Sequence, residues 1–253
     1  MDISSLIFAF FAAIAGGFIN AIAGGGTLIT FPVLIALGIS PLAANITNTI
    51  ALSPGYISGV FAQRKDFQSQ KQKLRKILPI SISGGIIGGV LLLNTKESLF
   101  SMLIPYLILI ATCLIAIQIP VRNWIIGRSK KNNSEKINIT IMFLIIFPSA
   151  IYGGYFGAGL GVILMAGLGF IINDSLNKIN ALKQAISFSI NIVAAIYFLF
   201  SGKVEWIIAF VMAIGAISGG IIGGKLASKI NQVFLRWIVV ATGLLVAIYY
   251  FAK

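Results

Sequence analysis

The sequence predicts an all-α integral membrane protein. It is read as two inverted-topology repeats of about five hydrophobic segments each, with short broken or re-entrant helices at the repeat interface. Three observations predict this: an apolar, charge-poor composition, ten apolar segments of which two are short, and an internal repeat. Of 253 residues, 58% are hydrophobic and 10% are charged. A soluble globular chain is roughly 45–50% apolar and about 25% charged. The net charge of +13 lies between apolar spans, which suits anionic lipid and excludes nucleic acid as the expected partner.

The apolar segments are 3–23, 26–38, 45–63, 77–93, 99–119, 139–156, 159–172, 185–201, 204–224 and 233–252. Eight hold 17–21 residues, about the length that crosses a ~30 Å hydrocarbon core. Segments 26–38 and 159–172 are shorter, and the first reaches only ~20 Å as a helix. Met1-Asp2 lacks the basic region of a signal peptide, so the first segment is expected to be retained.

Residues 16–49 are apolar yet cannot form one clean helix. Gly24, Gly25 and Gly26 interrupt them, and Pro32 and Pro41 interrupt them again, since both residue types weaken a helix interior. A broken backbone in lipid persists only where protein buries it or it lines a water-filled cavity. The second short segment also follows a glycine cluster, Gly157, Gly159 and Gly161.

The word ISGGIIGG at 82–89 recurs identically at 217–224, an offset of 135. Asn45 and Asn180 share that offset, as do Gly24 with Gly159 and Gly26 with Gly161. The chain is therefore divided into a first transmembrane repeat, 1–120, a basic cytoplasmic linker, 121–138, and a second repeat, 139–253. Five crossings per repeat make the second enter from the opposite side. With the N- and C-termini outside, loops 64–76, 120–138, 173–184 and 225–236 are inside and hold sixteen of the nineteen Lys and Arg residues, as the positive-inside rule requires.

Paired short segments interrupted by glycine point to a transporter's midplane site. A helix start leaves N–H groups unpaired and favours an anion, and glycine allows close backbone approach. The expected substrate-binding set from the first repeat is Asn20, Gly24, Gly25, Gly26, Thr27, Asn45, Asn48 and Thr49. From the second it is Gly157, Gly159, Gly161, Asn180, Lys183, Gln184, Ser187 and Asn191. The glycines have a second reading as helix-packing surfaces. Asn45 and Asn180 have one as N-caps, and Lys183 as a side chain snorkelling to headgroups. Asn48 stands opposite Lys183 in the repeat.

Absent residue types narrow the chemistry. The chain has no histidine and one cysteine (Cys113), and its six Asp and Glu residues all lie in loops or at segment ends. A Ser–His hydrolase, an intrachain disulfide, a carboxylate proton relay and a carboxylate-bound metal are not supported. No enzymatic activity, cofactor or metal is expected. Lysine and amide donors without acids suit an anion.

These residues carry a resemblance. GGFINAIAGGGTLITFPVLIALGISPLAANITNTIAL resembles the first block of the sulfite exporter TauE/SafE family, also called the 4-toluene sulfonate uptake permease family. GGYFGAGLGVILMAGLGFI with INALKQAIS is similar to its second-half counterpart. The likeness runs over nearly the whole chain. It implies a carrier in a prokaryotic plasma (inner) membrane for small sulfur-containing anions such as sulfite or organosulfonates. The expected function is secondary transport, in the export direction, by alternating access between the repeats. The expected partners are a small anionic substrate and the lipid bilayer, with a homo-oligomer left open. A cation-coupled importer of a small metabolite and a non-transport membrane scaffold are the alternatives.

Overall fold

The computed structural model describes residues 2–22, 25–62, 70–129, 139–172, 174–226 and 232–252. Its helices are α1 (Ile3–Ile22), α2 (Thr27–Ala36), α3 (Pro41–Ala62), α4 (Lys71–Asn94), α5 (Glu97–Ala116), α6 (Gln118–Ser129), α7 (Ile139–Tyr155), α8 (Leu160–Ile171), α9 (Leu176–Leu199), α10 (Trp206–Leu226) and α11 (Gln232–Ala252). Six of them are long and apolar enough to cross a membrane. No strand occurs among the described residues.

The two short helices double back on the helices before them. Gly153 of α7 lies against Leu160 at the start of α8, and Ile145 lies against Gly167 further along it. Successive contacts therefore run in opposite directions along the two helices. Gly16 of α1 likewise faces Gly26 and Thr30. Gly38 ends α2: at φ +84° its N–H donates to the Ile35 carbonyl at 2.9 Å, and Ile39 N–H donates to the Leu34 carbonyl at 3.2 Å. That is the Schellman closure, which favours glycine in the left-handed region.

Pro41 does not interrupt a helix; it begins one. It is the first residue of α3, where its missing N–H costs nothing and its fixed φ suits the first turn. This start also overturns the capping reading of two asparagines. α3 begins at Pro41 and α9 at Leu176, so Asn45 and Asn180 both lie one turn inside their helices.

Helices pair mainly across the two halves, and the pairing is reciprocal. α1 packs on α10 and α4 on α7; α3 packs on α10 and α4 on α9; α5 meets α11, and α3 meets α9. The α1–α10 and α4–α7 contacts are backbone to backbone. A Cβ on Gly17 would strike the Ala216 carbonyl, and one on Gly154 the Gly85 carbonyl. Small residues permit this approach, which lipid-embedded helices use in place of a hydrophobic driving force.

The glycine contacts of the two helix pairs do not follow the 135-residue offset of the repeated word. Gly84 faces the Phe147 carbonyl and Gly88 the Ile151 carbonyl, whereas in the other pair Gly215 faces Phe10 and Gly219 faces Ile14. Gly84 thus plays the part of Gly215, not of its word-match Gly219. The identical words at 82–89 and 217–224 sit one helical turn apart in equivalent packing. Gly88→Ala would place a methyl on the Ile151 carbonyl oxygen. It is expected to lower stability by about 1–3 kcal/mol, read as a fall in melting temperature in detergent. Gly127→Ala, with nothing within 4 Å of the added carbon, is expected to leave it unchanged.

Residues 118–129, where the sequence reading begins a basic linker at 121, form the helix α6. α6 runs beneath α8, with Ile125 against Gly169 and Trp124 stacked on Phe170 at 6.5 Å; the rest of the linker lies outside the described residues. At the start of α4, Lys73 pairs with Asp174 at 2.9 Å, and Lys178 pairs with the same carboxylate at 3.1 Å. Gln70 donates to it at 2.8 Å. Arg236 donates to the Ala116 carbonyl at 3.2 Å. The Asp174 contacts join loop regions 64–76 and 173–184, which charge counting places on one side; Arg236 reaches the last residue of α5.

Burial raises the Asp174 carboxyl's affinity for protons, but hydrogen bonds from Lys73, Gln70, Lys178 and Ser175 overcome it and pull the pKa down to about 2. A folded pKa below the unfolded one contributes stability above the ordinary carboxylate range and loses it as pH falls towards about 2. The melting temperature is therefore expected to drop between about pH 4 and 2, and Asp174→Asn to remove that part of the drop.

Candidate functional site

The two chain breaks meet at one small cavity. Its wall includes Asn20 from α1, Gly25 and Thr27 from the first break, and Gly157, Gly159 and Gly161 from the second. α9 adds Lys183, Gln184 and Ser187, and α3 adds Tyr56. The cavity volume is about 20 Å³, where one water needs roughly 10–15 Å³. A polyatomic anion therefore enters only if wall elements shift.

Several sequence features create this junction. Gly25, Gly157 and Gly159 have φ of +97°, +75° and +73°, a region where a Cβ is strained. The place of a Gly159 Cβ lies 3.3 Å from the Ala111 carbonyl of α5, while that of a Gly25 Cβ is filled by Ile115 one turn on, so α5 runs beside both breaks. The Tyr152 hydroxyl donates to the Ala158 carbonyl at 2.6 Å and ties the second break. Phe31 of α2 meets Phe156 edge to face at 5.5 Å. The starts of α2 and α8 leave first-turn N–H groups without intrahelical acceptors, and Thr27 and Gly161 of those turns stand on the wall.

Lys183 is 7% exposed. Its Cδ, Cε and Nζ lie 3.6–3.9 Å from where a Gly161 Cβ would be, so glycine there makes room for the lysine stem. No carboxylate stands on the wall among the described residues. Asp174, the acid nearest in sequence, is already held by Lys73 and Lys178.

The remaining expected residues fall elsewhere. Asn45 is buried and donates its Nδ2 to the Tyr155 carbonyl at 2.9 Å, clamping the end of α7; its Oδ1 has no partner among the described residues. Asn48 is buried, and its Oδ1 has no partner among the described residues. Thr49 donates to the Asn45 carbonyl in its own helix at 2.9 Å. Asn191 donates to the Ser187 carbonyl at 2.8 Å and comes within 4.0 Å of the position of a Gly157 Cβ. Asn180 is half-buried away from the cavity, Gly26 packs on Gly16, and Gly24 lies outside the described residues. Tyr56 was missed, because one aromatic in an apolar run looks like core; it is hydrogen-bonded to Asn20.

Apolar helices, two short helices broken at a shared polar cavity, and cross-packed halves are the build of a multi-pass membrane transporter. The chain belongs to the sulfite exporter TauE/SafE family, whose pattern matches residues 9–250. It is 28% identical over 244 residues to a probable membrane transporter protein of Haemophilus influenzae, covering 95% of this chain and 92% of the relative. It is 28% identical over 235 residues to the probable membrane transporter protein YfcA of Escherichia coli K12, covering 91% and 84%. A probable membrane transporter protein, ORF9, of Sinorhizobium is 27% identical over 244 residues, covering 96% and 91%.

Proposed function

We propose that the chain is a secondary carrier of small anions of the sulfite or organosulfonate type, exporting them by alternating access at the cavity between α2, α8 and α9. Lys183 carries this reading: it is buried, turned to the cavity, and without an acidic partner among the described residues. A buried charge is costly unless paired, and a bound anion supplies the pair. Amide, hydroxyl and first-turn N–H donors from Asn20, Gln184, Ser187, Thr27 and Gly161 surround the same space, and donors of this kind suit oxyanions.

Reciprocal packing of α1 with α10 and α4 with α7 supports an inverted repeat in which the halves rock about the breaks. The basic loops support termini outside. Export is the favourable direction: with a negative interior, moving one anion outward gains ~2.3 kcal/mol per 100 mV.

Electrical recording on proteoliposomes with a panel of sulfite, sulfate and small sulfonates tests the proposal. Currents are expected with the sulfur oxyanions and none without them. Silence across the panel, with uptake of a neutral solute that depends steeply on Na⁺ or pH, would establish the coupled importer instead.

A further inference from the structure

We infer that Tyr56 is the gate and size filter between the anion cavity and a second cavity beside it, an inference that rests on the anion reading above. The second cavity has a volume of about 10 Å³ and is walled by Gly17, Leu52 and Gly55 together with Asn20, Tyr56 and Gln184. The last three also wall the first cavity, so they form the partition. They come from α1, α3 and α9, and Tyr56 and Asn20 are joined by a hydrogen bond across it.

Each space is water-sized, so an anion of several heavy atoms passes only when the partition opens. Backbone movement is the harder way to open it. Gly17 of α1 abuts the Ala216 carbonyl of α10, and the place of a Gly55 Cβ on α3 lies 3.4 Å from the same oxygen. Both helices are therefore seated on α10 beside the partition. Swinging one phenol aside breaks a single neutral hydrogen bond, a far smaller disturbance.

Charge follows the same division. Among the described residues, Lys183 walls the first cavity and not the second, whose remaining lining is glycine, alanine and leucine. An anion moving past Tyr56 leaves its cation and is accompanied by the carboxamide donors of Asn20 and Gln184, which face both spaces. The size of the opening is then set by the ring at position 56, and residence in the first cavity by Lys183.

The test compares the full chain with Tyr56→Phe and Tyr56→Ala in proteoliposomes, using sulfite, methanesulfonate and benzenesulfonate, with sulfite affinity measured by calorimetry. Tyr56→Phe, which keeps the ring, is expected to raise sulfite flux several-fold with affinity unchanged within twofold. Tyr56→Ala is expected to raise the ratio of benzenesulfonate to sulfite flux at least tenfold. Unchanged flux and size order in both variants overturns the gate. So does a matching loss of sulfite affinity in Tyr56→Phe, which would make Tyr56 a binding residue. If the unaltered chain moves none of the three anions, the anion reading itself fails and this inference with it.

Discussion

Lys183→Ala is expected to cut sulfur-oxyanion flux roughly 10- to 100-fold, the worth of about 1.5–3 kcal/mol for a hydrogen bond to a charged group. The substitution removes the one cation on the cavity wall among the described residues. Lys183→Gln, which keeps a donor and loses the charge, is expected to fall between the two. Lys178→Ala is the control on the same helix. Lys178 pairs with Asp174 at 3.1 Å and does not touch the cavity, so its loss is expected to alter stability slightly and flux little. Initial rates in proteoliposomes matched for protein content measure the contrast. Equal losses in both variants would mean that Lys183 merely reaches for the membrane surface.

Gly159→Ala carries the second-largest expected effect. A side chain at φ +73° costs about 1–2 kcal/mol, and the new methyl would sit 3.3 Å from the Ala111 carbonyl, on the cavity wall. Transport is expected to fall about 5- to 30-fold, the worth of about 1–2 kcal/mol, with the melting temperature lowered by several degrees. Gly202→Ala separates the two causes. Gly202 has φ +67° and nothing within 4 Å of the added carbon, so it suffers the same backbone strain far from the cavity. Loss of stability with retained transport is the expected result there. If Gly202→Ala stops transport too, backbone strain alone accounts for both variants.

Much of the architecture was legible because lipid imposes simple rules. Length and apolarity marked the helices, and glycines beside short segments marked the breaks, since broken backbone in lipid needs a protected place. Asn20, Gly25, Thr27, Gly157, Gly159, Gly161, Lys183, Gln184 and Ser187, all singled out in the sequence, stand around one cavity. Asn45, Asn48 and Thr49 looked like lining because they are polar, but polarity does not reveal which face of α3 turns inward. Asn45 instead satisfies the carbonyl of Tyr155, a need created only when α7 arrives. Tyr56 is hidden for the converse reason, since an aromatic ring in a largely apolar stretch reads as core. The one-turn slip of ISGGIIGG escaped notice because glycine spacing specifies that two helices can approach, not which turn meets which carbonyl. The helix at 118–129 mixes basic and apolar residues, and it acquires its reason to fold only from the underside of α8.

The glycine seam between α1 and α10 also sets a timetable. Phe10 and Ile14 leave the ribosome near the start of synthesis, yet the glycines that cover their carbonyls, Gly215 and Gly219, follow on the order of 10–40 s later at ~5–20 residues per second. α4 and α7 find each other much sooner, with α5 and α6 the described helices between them. The centre of the molecule therefore assembles before its first helix is seated, and lipid stands in for α10 along the bare face of α1 until the tenth helix displaces it.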